Sequence, residues 1–137
     1  MKAPLFDKIL TICQDIANAS AAENDEARLA ACKELQILCA TNQDSPNDHP
    51  LQWEALADFT EDGDQAMDIY QVGLATAEKM SLSIFQASIT LAMAQRHHEF
   101  EEKEKALEFA EKANELAQLI DNDDLKKDIT EFLTSIK

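Results

Sequence analysis

Apolar residues recur at helical spacing along almost the whole chain, and this periodicity limits the possible folds more than any other feature. The first segment shows it in Leu5, Ile9 and Ile12. The last segment carries an apolar stripe of Leu125, Ile129, Phe132, Leu133 and Ile136. Steps of three or four residues place side chains on one face of a helix. Because the 137 residues include only two Gly and three Pro, few positions can interrupt helices, and the sequence predicts an all-α fold.

Turn signals divide this pattern into seven helices. The stretch TNQDSPNDHP at 41–50 lacks apolar residues, Asp62-Gly63 is a turn dipeptide, and DNDD at 121–124 supplies another break. We therefore expect a single domain over residues 1–137. It would contain three antiparallel helical hairpins, at about 3–40, 49–79 and 82–120, and a C-terminal helix at 123–136 that caps the last hairpin.

The second helices of the three hairpins can be aligned with one another. Ala27, Ala66 and Ala106 lie at intervals of 39 and 40 residues. Each is followed four residues later by a small or aromatic residue: Ala31, Tyr70 and Ala110. In two of the three, a small residue also follows seven positions later: Gly73 and Ala113. A repeat of this length is typical of stacked helical hairpins, which cannot bury their apolar faces alone.

In these residues the sequence resembles the tetratricopeptide-repeat family, over residues 50–120. The segment Trp53-x-x-Leu56-Ala57 is also similar to the family's W-x-x-L-G opening. The resemblance implies a right-handed array whose first helices line a concave groove for a peptide or partner helix. The family's spacing assigns six residues to that groove: Leu51, Ala55, Asp58, Leu91, Gln95 and His98. A HEAT-type helical array is the alternative for a period near 40 residues.

The negative charge is concentrated in one part of the chain. The net charge is −15, and residues 34–78 contribute ten acidic residues and no Lys or Arg. Such a surface repels nucleic-acid phosphates and anionic membranes, so we predict neither as a partner. It attracts basic protein segments at long range.

The acidic stretch DFTEDGDQAMDIY at 58–70 is compatible with a calcium loop only in part. With Gly63 at loop position six, Ile69 occupies position twelve, where a bidentate Glu is required. The stretch therefore predicts a hairpin turn, with Asp64 as a helix cap. His97 and Glu101 share a helix face, but a catalytic zinc needs three protein ligands. We predict no catalytic residue, no cofactor and no metal.

The three cysteines, Cys13, Cys32 and Cys39, are odd in number and form no C-x-x-C pair. Free thiols of this kind indicate a reducing cytoplasm. The opening MKAPLFDKIL lacks the apolar core of a signal peptide, because Asp7 and Lys8 interrupt it. We expect a cytoplasmic protein.

These features together predict a non-catalytic protein–protein interaction module, an adaptor that binds a basic or amphipathic segment of another protein. The alternative is an acidic inhibitor, antitoxin or immunity protein that masks a basic active site such as that of a nuclease. A metal-dependent enzyme is a third hypothesis, which stoichiometric zinc or iron in the purified protein would support. A homodimer through the outer face of the first helix is left open, as is whether Trp53 belongs to the core or to an interface.

Overall fold

The computed structural model describes residues 3–137, and within that range the chain contains seven α-helices and no β-strand. The all-α prediction is confirmed, and the helices match the predicted hairpin and capping segments, except that α2 extends two residues beyond the predicted end of the first hairpin. The helices are α1 Phe6–Ala21, α2 Asp25–Asn42, α3 Pro50–Asp58, α4 Gly63–Lys79, α5 Ser83–Glu99, α6 Lys103–Ala117 and α7 Asp123–Ile136.

The chain divides into two compact units, and the boundary lies within α4, between Gly73 and Leu74. The first unit contains α1, α2, α3 and most of α4. The second contains the end of α4 with α5, α6 and α7. The predictions of a single domain and of a right-handed stack of hairpins remain predictions.

In the first unit, α1 and α2 pack against each other as an antiparallel hairpin, and α3 packs on both. Their shared core consists of Ile9, Ile12, Ile16, Ala31, Leu35, Leu38, Cys39, Trp53 and Leu56. Trp53 is only 6% exposed, so it is a core residue. Burying a side chain of this size contributes about 2–3 kcal/mol to folding.

In the second unit, α5 packs on α6, and α7 covers the hairpin that they form. The contact uses small residues of α5 and α6, among them Ala87, Ala94, Ala110 and Ala113. Ile129 and Leu133 of α7 fill the space that these alanines leave. This packing confirms the predicted role of the last helix as a cap.

Three inter-helix turns share one backbone geometry. Glu23, Ser81 and Glu101 each adopt the left-handed region, with φ of 55°, 57° and 59°. In each turn the following residue donates its N–H to a carbonyl five residues back, at 2.9 Å, which is the Schellman pattern. The left-handed region normally favours Gly, because a side chain there crowds the backbone.

We expect glycine at these three turns to stabilise the protein. Glu23→Gly, Ser81→Gly and Glu101→Gly should each raise the free energy of unfolding by about 0.5–1 kcal/mol, because glycine relieves the left-handed strain. Urea unfolding of the three single variants measures the effect. Glu26→Gly, an exposed substitution inside the first turn of α2, is the matched control and should destabilise by a similar amount. Destabilisation by all four substitutions would contradict the prediction.

The starts of α2, α4 and α6 correct the predicted alignment of the repeats. In each of these helices, the first hydrogen bond joins a backbone N–H to the carbonyl four residues before it. These bonds are Arg28 to Asn24 in α2, Ala66 to Asp62 in α4 and Ala106 to Glu102 in α6. Arg28, and not Ala27, therefore occupies the position of Ala66 and Ala106. Ala66 and Ala106 are fully buried, Arg28 is half-buried and Ala27 is exposed. The first interval is 38 residues, and the predicted register of α2 was wrong by one residue.

Candidate functional site

The predicted groove residues of the first unit lie along α3. Leu51 and Ala55 are half-buried and pack against the core of that unit. Asp58, one helical turn further on, is exposed, and its Oδ1 accepts a hydrogen bond from the phenol of buried Tyr70 in α4. Of the three, Asp58 is therefore the residue that presents a polar group to solvent.

The predicted groove residues of the second unit differ among themselves in exposure. Leu91 is 6% exposed and belongs to the core shared by α5, α6 and α7. Gln95 and His98 are exposed, and the His98 ring meets Phe132 of α7 edge-on with ring centroids 5.8 Å apart. Leu91 is thus buried, whereas Gln95 and His98 are at the surface. The assignment of all six residues to one groove stays a prediction.

The acidic stretch around Gly63 forms the end of α3, a short turn and the start of α4. The Asp62 carboxylate accepts the N–H of Gln65 at 3.0 Å, so the helix cap is Asp62 and not Asp64 as predicted. Asp58 is engaged by Tyr70. A calcium loop would direct the carboxylates of Asp58 and Asp62 at the ion, but here both accept hydrogen bonds from the protein. Within residues 3–137, no group of three or more His, Cys, Asp or Glu side chains is arranged to hold a metal ion.

A hydrogen-bond network centred on Asp48 joins the loop before α3 to the core. Its Oδ1 accepts the indole N–H of Trp53 at 2.8 Å and an amide N–H of Gln52 at 3.4 Å. Its Oδ2 accepts the backbone N–H of Asp44 at 2.9 Å. Neither partner side chain can turn to water, since Trp53 is 6% exposed and Gln52 is fully buried. Asp48 is therefore a structural carboxylate.

Two thiols of the first unit are poor nucleophiles. Cys39 is buried and donates its S–H to the Gln52 carbonyl at 3.3 Å. Burial, with a further contribution from the Asp48 charge, raises the pKa of Cys39 to about 12. Burial also raises the pKa of Cys13, and the charge of Asp58 raises it further. Because the thiolate is the reactive form, these environments suppress nucleophilic chemistry.

The buried imidazole of His49 is a helix cap. Its Nδ1 accepts the backbone N–H of Leu51 at 3.1 Å at the start of α3. Burial lowers the pKa of His49, and the Asp48 charge opposes that shift. A neutral ring is required for the cap, because a protonated Nδ1 has no lone pair to accept with.

In the second unit, the turn between α5 and α6 carries a cluster around His97. The imidazole is 8% exposed, stacks on Phe109 with ring centroids 5.1 Å apart, and has Nδ1 3.2 Å from a carboxylate oxygen of Glu102. Lys105 lies 3.7 Å from the other carboxylate oxygen. The hydrogen bond with His97 lowers the pKa of Glu102, and Lys105 lowers it further. The cluster closes the turn between α5 and α6.

This lowered pKa predicts a pH-dependent contribution to stability. The contribution of Glu102 is complete above its ordinary pKa of 4.5 and is lost as pH falls through the lowered folded value. Glu102→Gln should therefore lower the melting temperature at about pH 6, and the difference from the parent should shrink as pH falls below 4.5. Thermal unfolding followed by circular dichroism measures it, with exposed Glu104→Gln as the control. A difference that is constant with pH would rule the explanation out.

Exposed carboxylates are frequent in the second half of the first unit. Between residues 34 and 73 there are nine acidic residues and no Lys or Arg, and seven of the nine are exposed. Glu61 is joined to Arg28 of α2 at 3.2 Å. We call this set the acidic surface: Glu34, Asp44, Asp58, Glu61, Asp62, Asp64 and Asp68.

Comparison with known proteins finds no matching family model, no matching curated protein and no matching solved structure. Across residues 3–137, every helix is too short or too polar to cross a lipid bilayer.

Proposed function

We propose that the protein is a non-catalytic, tetratricopeptide-like interaction module that binds a basic or amphipathic segment of another protein. The acidic surface carries this proposal, because seven exposed carboxylates face solvent in a stretch that contains no Lys or Arg. A field of one sign accelerates encounter with a segment of opposite charge and selects against acidic competitors. Asp58, at the end of α3, belongs both to this surface and to the predicted groove.

The polar contacts of the first unit support a role without chemistry. The hydrogen bonds of Asp48, Asp62 and Cys39 all serve the fold, as helix caps or loop contacts. Cys13 and Cys39 are poor nucleophiles because their pKa values are raised. The Cys39 hydrogen bond also needs a reduced thiol, which supports placing this binding module in the cytoplasm.

The test is a binding assay with three synthetic peptides of equal length: a basic amphipathic helix, a basic scrambled sequence and an acidic amphipathic helix. We expect the affinity order to be basic amphipathic, then basic scrambled, with negligible binding of the acidic peptide. Fluorescence anisotropy measures the dissociation constants at about 50 mM and about 500 mM salt. Screening at the higher concentration should weaken binding by about tenfold or more.

A pair of charge-reversal variants locates the binding surface. Asp64→Lys with Asp68→Lys should weaken binding of the basic amphipathic peptide by about tenfold, because the acidic surface loses its field. Glu104→Lys with Glu111→Lys changes two exposed acids of α6 and gives the same net charge. This control should change the affinity less than about threefold. Equal losses in both double variants would show that only net charge matters and would refute the proposed site.

The inhibitor function is a second candidate, and the positions of the carboxylates favour it specifically. Asp44, Glu61 and Asp62 lie in inter-helix connections, outside the helices themselves. Carboxylates on such connections can enter the cleft of a basic enzyme. Inhibition of a nuclease, lost in the Asp64→Lys, Asp68→Lys variant, would select this function over peptide binding.

A further inference from the structure

A long groove runs along the seam between α1 and α2, on a different part of the first unit from α3 and the turn that precedes α4. It consists of two adjoining depressions of about 350 and 510 Å³, which share Glu34. The α1 side extends from Leu5 to Ala22, a length of about 26 Å at 1.5 Å per residue. That length accommodates a helix of about five turns.

The two ends of the groove differ in shape. One end is lined by the larger apolar side chains Leu5, Ile12, Ile37 and Leu38. Ile37 is 54% exposed there. The other end is lined by small side chains: Ala19, Ala22, Ala27, Ala30 and Ala31. Ile12 and Leu38 belong to the core, so exposed Ile37 and half-buried Leu5 are the large apolar groups that the first end presents, and the small side chains of the other end leave room for them.

The two ends also differ in charge. The end with larger side chains carries Lys8, and the alanine-lined end carries Asp15, with Glu34 between them. Lys8 and Asp15 are both exposed and are separated by two helical turns, about 10 Å along α1. The end with larger side chains is thus the positively charged end, and the alanine-lined end is the negatively charged end.

We propose that this groove is a homodimer interface in which a second copy of the chain lies antiparallel to the first. A two-fold axis near the middle of α1 brings the Lys8 end of each copy onto the Asp15 end of the other. The rotation pairs bulky side chains with alanines and cations with carboxylates, and does so twice. This match of the groove with its own rotated copy selects a second copy of this chain over an unrelated helix.

The proposed dimer can be tested separately from the proposed peptide binding, because Lys8 and Asp15 lie outside the acidic surface, while Glu34 belongs both to that surface and to the groove. Dimer formation must also overcome the electrostatic repulsion between two chains, since each has a net charge of −15. Measurements therefore belong at about 150 mM salt, where the Debye length is about 8 Å and distant repulsion is screened more than contacts.

The test is sedimentation velocity of the full chain over a concentration series, with Lys8→Glu and Asp15→Lys as variants. We expect the parent to dimerise reversibly and each variant to dimerise about tenfold more weakly, because two contacts become repulsive. Lys33→Glu, an exposed substitution on α2 outside the groove, is the control and should leave dimerisation within about twofold of the parent.

An equimolar mixture of the Lys8→Glu and Asp15→Lys variants should recover dimerisation. In the mixed dimer, the carboxylate introduced by the first variant faces the ammonium group introduced by the second. The unchanged Asp15 of the first variant faces the unchanged Lys8 of the second. Both contacts therefore join opposite charges, as they do in the parent dimer.

The Asp15→Lys variant separates specific contact from general repulsion. It removes two units of negative charge, so repulsion alone would make it associate more strongly than the parent. The proposal predicts weaker association. A monomeric parent at all concentrations, unaffected single variants, or a mixture that fails to recover would each overturn it. Binding of a basic helix to a monomeric parent, abolished by Asp15→Lys, would assign the groove to a different occupant and overturn it as well.

Discussion

Ala106→Leu is expected to lower the free energy of unfolding by about 2–3 kcal/mol. Ala106 is fully buried in the first turns of α6, which packs on α5 and α7. Three additional carbon atoms at such a position force neighbouring side chains from their rotamers or push the helices apart. Urea unfolding measures the loss, at a protein concentration low enough to keep the chain monomeric.

The control for this substitution comes from the corrected repeat register. Ala27→Leu makes the same chemical change at a residue that the sequence alignment equates with Ala106. Because Ala27 is exposed, the expected change is within about 0.5 kcal/mol of the parent. Similar losses in both variants would restore the original alignment and contradict the register that the helix starts define.

Asp48→Ala is expected to destabilise the protein by about 3 kcal/mol. The substitution removes the acceptor of the Trp53 indole and the Gln52 amide, which stay buried without an equivalent partner. An unsatisfied buried donor costs about 1–3 kcal/mol, and the loop contact to Asp44 is lost as well. Thermal and urea unfolding measure the effect, and Trp53 fluorescence reports the local environment directly.

Asp68→Ala provides the comparison for Asp48→Ala. It removes the same carboxylate from an exposed position on α4 and changes the net charge equally. We expect a change within about 0.5 kcal/mol. If the two variants are equally stable, the network around Asp48 contributes nothing beyond charge, and its description as a structural carboxylate fails.

The helices were predictable because their apolar spacing is strong and their ends carry turn residues. The apolar stripe from Leu125 to Ile136 predicts the bounds of α7 to within a few residues. Pro50 is the first residue of α3. The register of α2 was not predictable, because the alanine pattern starts the repeat at Ala27, whereas the first helical bond starts it at Arg28. The carbonyl of the Asn24 cap accepts that bond, and no alanine marks the position of Arg28.

The site was harder to predict than the helices. The family's spacing assigns Leu91 to a groove, yet α5 is apolar on several faces, so spacing alone does not tell a core position from a surface position. The contact of Asp48 with Trp53 joins residues five apart with no recognisable motif. The three left-handed turns could not be recognised from the sequence, because Glu and Ser occupy positions where Gly is the usual signal.

The distribution of cysteine allows the opening of one half of the molecule to be measured. All three cysteines lie in the first unit, and Cys39 is 1% exposed with a pKa of about 12. An alkylating reagent can modify this sulfur at an appreciable rate only when α2 and α3 separate. Mass spectrometry that resolves the peptide containing Cys39 therefore reports opening of the N-terminal half, separately from the labelling of half-buried Cys13 and Cys32.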